Sequence, residues 1–243
     1  MPIGTGTATN VLAIVLGSGL GMLVGHRLPA HVRATVTTAL GLGTLLLAAD
    51  ATLAVTDPAL SAAVGERAPT LIVIGALALG GIVGSLARIE DRIGDLGDWL
   101  RGHLHAERHE NFVEGFVVSS LVFCVGPLTI VGSLTEGFGG GADQLLVKSL
   151  LDGFASLAFA ASLGIGVMAS ALTVGVLQGT LTLAGVVIGD VLPAAHLAAL
   201  TSVGGLVLIG VALRLLDLAR FRVADLLPAL VAAPLLVTAV AAL

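Results

Sequence analysis

Apolar residues follow one another in eight long runs along the chain, and short polar or turn-forming stretches separate the runs. A bilayer core of about 30 Å requires about 20 apolar residues in each helix that crosses it. The pattern therefore predicts a bundle of eight transmembrane helices, numbered as spans 1 to 8. The predicted spans cover residues 10–27, 33–55, 69–88, 112–136, 144–168, 170–190, 195–216 and 222–243.

The composition excludes a soluble protein. Charged residues make up 11% of the 243 residues, hydrophobic residues make up 56%, and the mean hydropathy is +1.07. Soluble domains carry about 25% charged residues, so this chain lacks the polar surface that water requires. We expect a single all-α transmembrane domain over residues 1–243, surrounded by membrane lipid, with neither a nucleic-acid partner nor a cofactor. Glycines at four-residue spacing predict close helix packing and are compatible with a homodimer.

The longest polar stretch lies between spans 3 and 4, at residues 89–110. Its apolar residues recur every three or four positions, which predicts an amphipathic helix on the membrane surface with Trp99 at the headgroup level. His103, His105 and His109 fall in this stretch, and the last two are one helical turn apart. No cysteine or third fixed ligand accompanies them, so we interpret them as a solvated polar face and predict no metal site.

Basic residues predict the orientation in the membrane. Nine arginines lie in or beside the odd-numbered loops, whereas Arg67 alone lies in an even-numbered loop. Cytoplasmic loops are enriched in Lys and Arg. The odd-numbered loops and the segment 89–110 are therefore expected in the cytoplasm, and both termini on the opposite side.

The chain also matches itself after a shift of 164 residues, which predicts an internal repeat. Under this shift the arginines of the first turn, Arg27 and Arg33, are replaced by Val191 and Leu197, as expected if the two turns lie on opposite sides of the membrane. Spans 1 and 2 would then correspond to spans 6 and 7 in inverted topology, an arrangement of many secondary transporters. The matching residues are Gly21, Gly25, Leu28, Pro29, Ala30, Ala34 and Gly41 with Gly185, Gly189, Leu192, Pro193, Ala194, Ala198 and Gly205.

Span 4 contains Gly126 and Pro127 in the middle of its apolar run. Proline lacks a backbone donor and clashes with the preceding turn, so a broken helix is predicted. A break at membrane depth is tolerated where it lines a cavity, and the half-helix that starts at Pro127 would point its positive end into that cavity. Thr129 and Ser133 add hydroxyls nearby. The alternative is a simple kink that neighbouring helices satisfy.

Span 5 carries the charged residues. Ser149, Asp152 and Ser156 share one helix face, and Lys148 lies four residues before Asp152. A charge inside a span costs several kcal/mol unless it faces water, a partner or a cavity, which favours a functional role. Two alternatives are an ion pair used only for packing and a Lys148 side chain that reaches the membrane surface. The polar residues of other spans, Asn10 and Gln178, would line the same cavity or only bond across helices.

Four strings resemble a bacterial membrane family called domain of unknown function 554, and the resemblance covers nearly the whole chain. They are GGIVGSLARIEDRI, SSLVFCVGPLTIVGSLTEGF, LLVKSLLDGFASLAFAASLGIGV and LQGTLTL. The resemblance implies a polytopic protein of the bacterial inner membrane, in a family often described as transport proteins. It implies no established substrate, and no catalytic residue carries over.

We interpret the chain as an ion-coupled secondary transporter of a small polar or anionic solute, because two charges lie in one span. Lys148 would attract an anion, and Asp152 would bind a coupling cation or proton. An ion or small-solute channel and a structural membrane subunit are the alternatives, and an enzyme is not expected because no nucleophile and base lie together. The predicted site comprises Gly126, Pro127, Thr129, Ser133, Lys148, Ser149, Asp152 and Ser156.

Overall fold

The computed structural model describes residues 2–25, 27, 29–103, 111–125, 127–188, 193–219 and 222–242. These residues form helices and turns and no strands, which confirms the all-α fold. The α-helices of the described residues are α1 (Thr5–Gly25), α2 (Ala30–Thr52), α3 (Pro58–Val64), α4 (Ala68–Leu86), α5 (Ile89–His103), α6 (Phe112–Cys124), α7 (Pro127–Gly137), α8 (Asp143–Leu163), α9 (Gly166–Ile188), α10 (Ala194–Leu215) and α11 (Ala229–Ala241).

Within the described residues, seven helical segments are long and apolar enough to cross a membrane. The pair α6 and α7 makes an eighth candidate, so the predicted number of spans is confirmed as seven to eight. The axes of α6 and α7 differ in direction by 61° across the break that separates them. Such a bend fits a broken span or a re-entrant loop, and the broken span stays a prediction.

The contacts divide the chain into two compact units, and the single transmembrane domain stays a prediction. Unit 1 comprises Met1–Leu40 and Gly94–Val191, and unit 2 comprises Gly41–Ile93 and Leu192–Leu243. Every residue of the predicted site belongs to unit 1.

Glycines bring α1 against α8 in unit 1. A Cβ added at Gly17, Gly21 or Gly25 would collide with the backbone of α8, so only glycine permits this close approach. The three glycines contact Gly153, Leu157 and Ala161 in that order. Because both series of numbers increase together, α1 and α8 run parallel.

Helix α9 packs on α1 in the opposite direction. The Oγ1 atoms of Thr7 and Thr182 are 3.4 Å apart, and one turn deeper Val11 contacts Gly175. Val11 and Gly175 are equivalent under the 164-residue shift, so this pair lies where a two-fold axis between the repeats would pass.

Helix α6 runs parallel to α9. Gly166 contacts Phe112 at the start of both helices, and the Ser120 hydroxyl donates to Thr173 Oγ1 at 3.2 Å further along. Since α9 is antiparallel to α1 and α8 is parallel to α1, α6 and α8 run in opposite directions. This arrangement favours a broken span, in which α6 and α7 together cross the membrane once. It argues against a re-entrant loop.

Unit 2 contains a pair of reciprocal contacts between α2 and α10. Gly41 packs against Leu216, and Gly205 packs against Thr52. The 164-residue shift converts the first pair into the second, and contacts of this reciprocal kind are what two-fold symmetry produces. The helix bounds also agree, because α2 begins at Ala30 and α10 begins at Ala194. These observations favour the inverted repeat, which stays a prediction.

A charged network fixes the start of α5 in unit 2. Glu90 accepts hydrogen bonds from Arg214 Nη1 and Ala224 N, each at 2.7 Å. Asp225 Oδ1 accepts from the Glu90 N–H at 2.9 Å and so caps the first turn of α5, while Asp225 Oδ2 accepts from Arg222 Nε at 2.6 Å. From the sequence, Arg214 and Arg222 served only to predict the orientation in the membrane. Their acidic partners, Glu90 and Asp225, were not predicted.

The amphipathic segment is helical from Ile89 to His103. The Trp99 side chain is 55% exposed, and its ring lies 4.3 Å from that of His103 between centroids. Residues 104–110, which include His105 and His109, lie outside the described residues.

Candidate functional site

Lys148 and Asp152 of α8 form a buried ion pair. Lys148 Nζ lies 2.7 Å from Asp152 Oδ2, and each residue is 7% exposed. The same Asp152 oxygen accepts a hydrogen bond from Asn10 Nδ2 at 2.9 Å. The four-residue spacing places Lys148 over Asp152 on one helix face. The glycine contacts of α1 bring Asn10 within reach of the carboxylate.

Helix α7 adds a polar stripe. Gly132 contacts α8 and Gly137 contacts α9. The three buried polar residues Thr129, Ser133 and Glu136 lie on the arc between these two contacts. They therefore face the space among α1, α8 and α9.

Glu136 is the most unusual member of this stripe. It is 3% exposed, and its Oε1 accepts a hydrogen bond at 2.6 Å from the N–H of Gly6 in the first turn of α1. Its Oε2 has no hydrogen-bond partner among the described residues, and no cationic side chain pairs with it there. Sequence reasoning missed Glu136 because it stands at the predicted end of span 4, where an exposed carboxylate is ordinary. The only signal was its place in an otherwise apolar run.

Gln178 approaches the same space from α9. Its neighbours on that helix, Gly175 and Thr182, face α1, whereas Gly185 faces α7. The side chain of Gln178 lies on the arc between these contacts and is fully buried. Neither atom of its amide finds a partner within the described ranges.

Six polar side chains from four helices thus face one region of unit 1, which we call the polar core. In the described part of the chain, five of their atoms have no hydrogen-bond partner: Asn10 Oδ1, Ser133 Oγ, Glu136 Oε2 and both amide atoms of Gln178. An unsatisfied buried group costs about 1–3 kcal/mol, so a region built only for packing would rarely collect five of them. The polar core comprises Asn10, Ser133, Glu136, Lys148, Asp152 and Gln178.

Thr129 has a structural task at the break between α6 and α7. Its hydroxyl donates to the carbonyl oxygen of Phe123 at 2.9 Å. In a continuous helix this carbonyl would accept from residue 127, but Pro127 has no N–H. The hydroxyl therefore replaces the hydrogen bond that proline removes.

The other predicted residues fall into two groups. The hydroxyls of Ser149 and Ser156 donate to carbonyls of their own helix, at 2.6 Å to Leu145 and 2.9 Å to Gly153. Gly126 lies outside the described residues. The structure thus brings Ser133, Lys148 and Asp152 of the predicted site together.

A cleft of about 380 Å³ opens between α1 and α8, and its lining contains no residue of the polar core. Ser149 and Thr9 are its polar lining residues, and the rest of the lining is apolar or glycine. This lining suits a lipid chain better than a polar solute.

Comparison with known proteins places the chain in a family. The family model described as Protein of unknown function (DUF554) matches residues 5–238. The chain belongs to the DUF554 family. It is 30% identical over 237 residues to the "Uncharacterized protein YqgA" of Escherichia coli (strain K12), with 94% of each chain covered. It is 27% identical over 233 residues to the "Uncharacterized membrane protein YdfK" of Bacillus subtilis (strain 168), with 96% of this chain and 95% of that protein covered. No solved structure matches the chain.

Proposed function

We propose that this DUF554 protein is an ion-coupled secondary transporter of a small anionic or polar solute. The observation that carries the proposal is the Lys148 and Asp152 pair, which lies buried in a span beside five unsatisfied polar atoms. Charges inside a span are costly and usually mark a pathway for solutes or ions.

Lys148 is the anion-binding group in this proposal. An anionic solute that binds Lys148 Nζ must displace Asp152, which holds the ammonium at 2.7 Å before the solute arrives. Asp152 then keeps only its hydrogen bond from Asn10, and its buried charge lacks a cation. A proton or cation that joins Asp152 at this moment restores the balance. Solute binding and cation binding thereby become linked.

The helix arrangement supports alternating access. The reciprocal contacts of Gly41 and Gly205 fit two repeats of opposite orientation that rock against each other, as in other secondary transporters. The burial of Lys148 and Asp152 favours a gated site over an open pore. We further propose that the protein lies in the bacterial inner membrane with both termini outside, because nine arginines then lie in the cytoplasm.

Transport by the purified full-length protein in proteoliposomes tests the proposal. Binding would first be sought with a panel of small carboxylates, phosphate and sulfate by their effect on thermal stability. Uptake of the stabilising anion should then exceed its equilibrium level when a proton or sodium gradient is imposed, and Lys148→Met should abolish it. Asp152→Asn should also lose this uptake, because it removes the proposed coupling residue. Asp143→Asn, an exposed change on the same helix, is its control and should transport normally. Uptake that only equilibrates the anion would identify a channel.

A further inference from the structure

We propose that Glu136, Ser133, Gln178 and the amide oxygen of Asn10 form a binding site for an alkali-metal cation. This site is separate from the Lys148 and Asp152 pair, and it stands whether or not a solute is transported.

The charges of the polar core require a further cation. Lys148 pairs with Asp152 at 2.7 Å, so its ammonium is already balanced. Glu136 is 3% exposed and pairs with no cationic side chain among the residues that the structure describes. Two carboxylates and one ammonium leave one negative charge, and an uncompensated buried charge is strongly unfavourable.

The backbone of α1 holds one oxygen of the Glu136 carboxylate. Its Oε1 accepts the Gly6 N–H at 2.6 Å, in the first turn of α1, where the helix dipole stabilises negative charge. Its Oε2 is buried and carries no hydrogen bond from the described residues. One carboxylate oxygen is thus held by the backbone, and the other is available to a cation.

A cation accounts for the unsatisfied oxygens better than a proton does. The atoms Asn10 Oδ1, Ser133 Oγ and Glu136 Oε2 lack partners in the described ranges, as does Gln178 Oε1. A proton on Glu136 would satisfy one further oxygen, whereas a metal ion accepts several oxygen ligands at once.

The helix contacts place these ligands within about one helical turn of each other along the bundle. Glu136 meets Gly6 at the start of α1, and the adjacent Thr7 hydroxyl lies 3.4 Å from that of Thr182 on α9. Moving one turn along α1 reaches Asn10, and moving one turn back along α9 reaches Gln178. The two amides therefore lie at the same depth, next to the polar stripe of α7.

The ligand chemistry selects the class of ion. The set consists of one carboxylate and neutral oxygens. Oxygen ligands suit a hard cation, and the single carboxylate matches a cation of single charge. Within the described residues no group of three His, Cys, Asp or Glu side chains is placed to hold a metal ion, so the site lacks the several carboxylates that calcium prefers.

The experiment measures cation binding to the purified full-length protein in detergent, without any solute. Thermal stability is compared in sodium chloride, potassium chloride and choline chloride at equal ionic strength and pH, and 22Na+ binding is measured directly. We expect sodium or potassium to raise the Tm relative to choline. Glu136→Gln keeps an acceptor for Gly6 and should weaken binding by roughly 100-fold, because even outer ligands change metal affinity by about 10–100-fold. Glu114→Gln, an exposed change on α6, is the matched control and should bind as the wild type.

A second variant guards against a folding defect. Gln178→Leu removes an unsatisfied amide at similar size, so its Tm in choline should equal or exceed that of the wild type, while its response to the alkali cation is lost. Equal Tm in all three salts, or full cation binding by Glu136→Gln or Gln178→Leu, would overturn the site. Asp152→Asn should still bind the cation. A wild-type protein that binds the cation but takes up no anion would count against the proposed transport function alone.

Discussion

The Lys148 and Asp152 pair offers the sharpest test of whether the site works or only packs. Its atoms are 2.7 Å apart, and the two side chains are 8% and 9% exposed, so solvent screens the pair little. Removing one partner of a buried pair costs about 3–5 kcal/mol because the other charge is left alone. Asp152→Asn would leave the Lys148 ammonium buried without its carboxylate partner. Lys148→Met would leave Asp152 with only the hydrogen bond from Asn10.

The double change removes both charges together. Asn10 can still donate to an amide oxygen at position 152, so we expect the double variant to be more stable than either single variant. For a chain of this size, a loss of about 3–5 kcal/mol corresponds to a fall in Tm of roughly 6–20 °C. The measurement is thermal unfolding and solute uptake for both singles and the double in one membrane preparation.

The two readouts separate the interpretations. If the pair belongs to the transport site, the double variant regains stability but remains unable to take up the solute. A double variant that regains both stability and full uptake would show that the pair serves packing, and the reasoning from Lys148 and Asp152 to transport would fall.

Three further predictions concern orientation, packing and the helix break. His103→Cys, in a background without the native cysteine, should not be labelled by an impermeant maleimide added to intact cells. Labelling from outside would reverse the proposed orientation. Gly21→Ala should destabilise the protein in thermal unfolding because its Cβ meets the backbone of α8, whereas Gly43→Ala, with open space around it, should be neutral or gain up to about 1 kcal/mol. Thr129→Val should lower the free energy of unfolding by about 1–3 kcal/mol, because it leaves the Phe123 carbonyl at the break without a hydrogen bond. Thr180→Val, on an exposed face of α9, should change the Tm little, and equal losses in the two variants would argue against a special role for Thr129.

Much of the fold follows from the sequence because the length of each apolar run by itself predicts a membrane-spanning helix. The predicted start of span 4 at residue 112 and the observed start of α6 at Phe112 agree for this reason. The pairing of Lys148 with Asp152 was also within reach of the sequence, since a spacing of four residues on a helix fixes their proximity regardless of the rest of the fold.

The composition of the polar core depended on the tertiary structure. The sequence predicted Thr129 as a solute-binding residue. In the structure its hydroxyl donates to the Phe123 carbonyl, which lacks its helical hydrogen bond at the break. It set Glu136 at the edge of a span, where only the approach of α1 shows that the carboxylate is buried. It left open whether Asn10 and Gln178 line the cavity or bond across helices.

The physical reason lies in what helix periodicity encodes. A 3.6-residue repeat tells which residues share a face of one helix, and so it joins Lys148 to Asp152. Which face meets which is decided by the places where backbones can approach, such as Gly17, Gly21 and Gly25 against α8. That packing brings Asn10 to Asp152 across 142 positions of sequence, a proximity that neither helix carries in its own pattern.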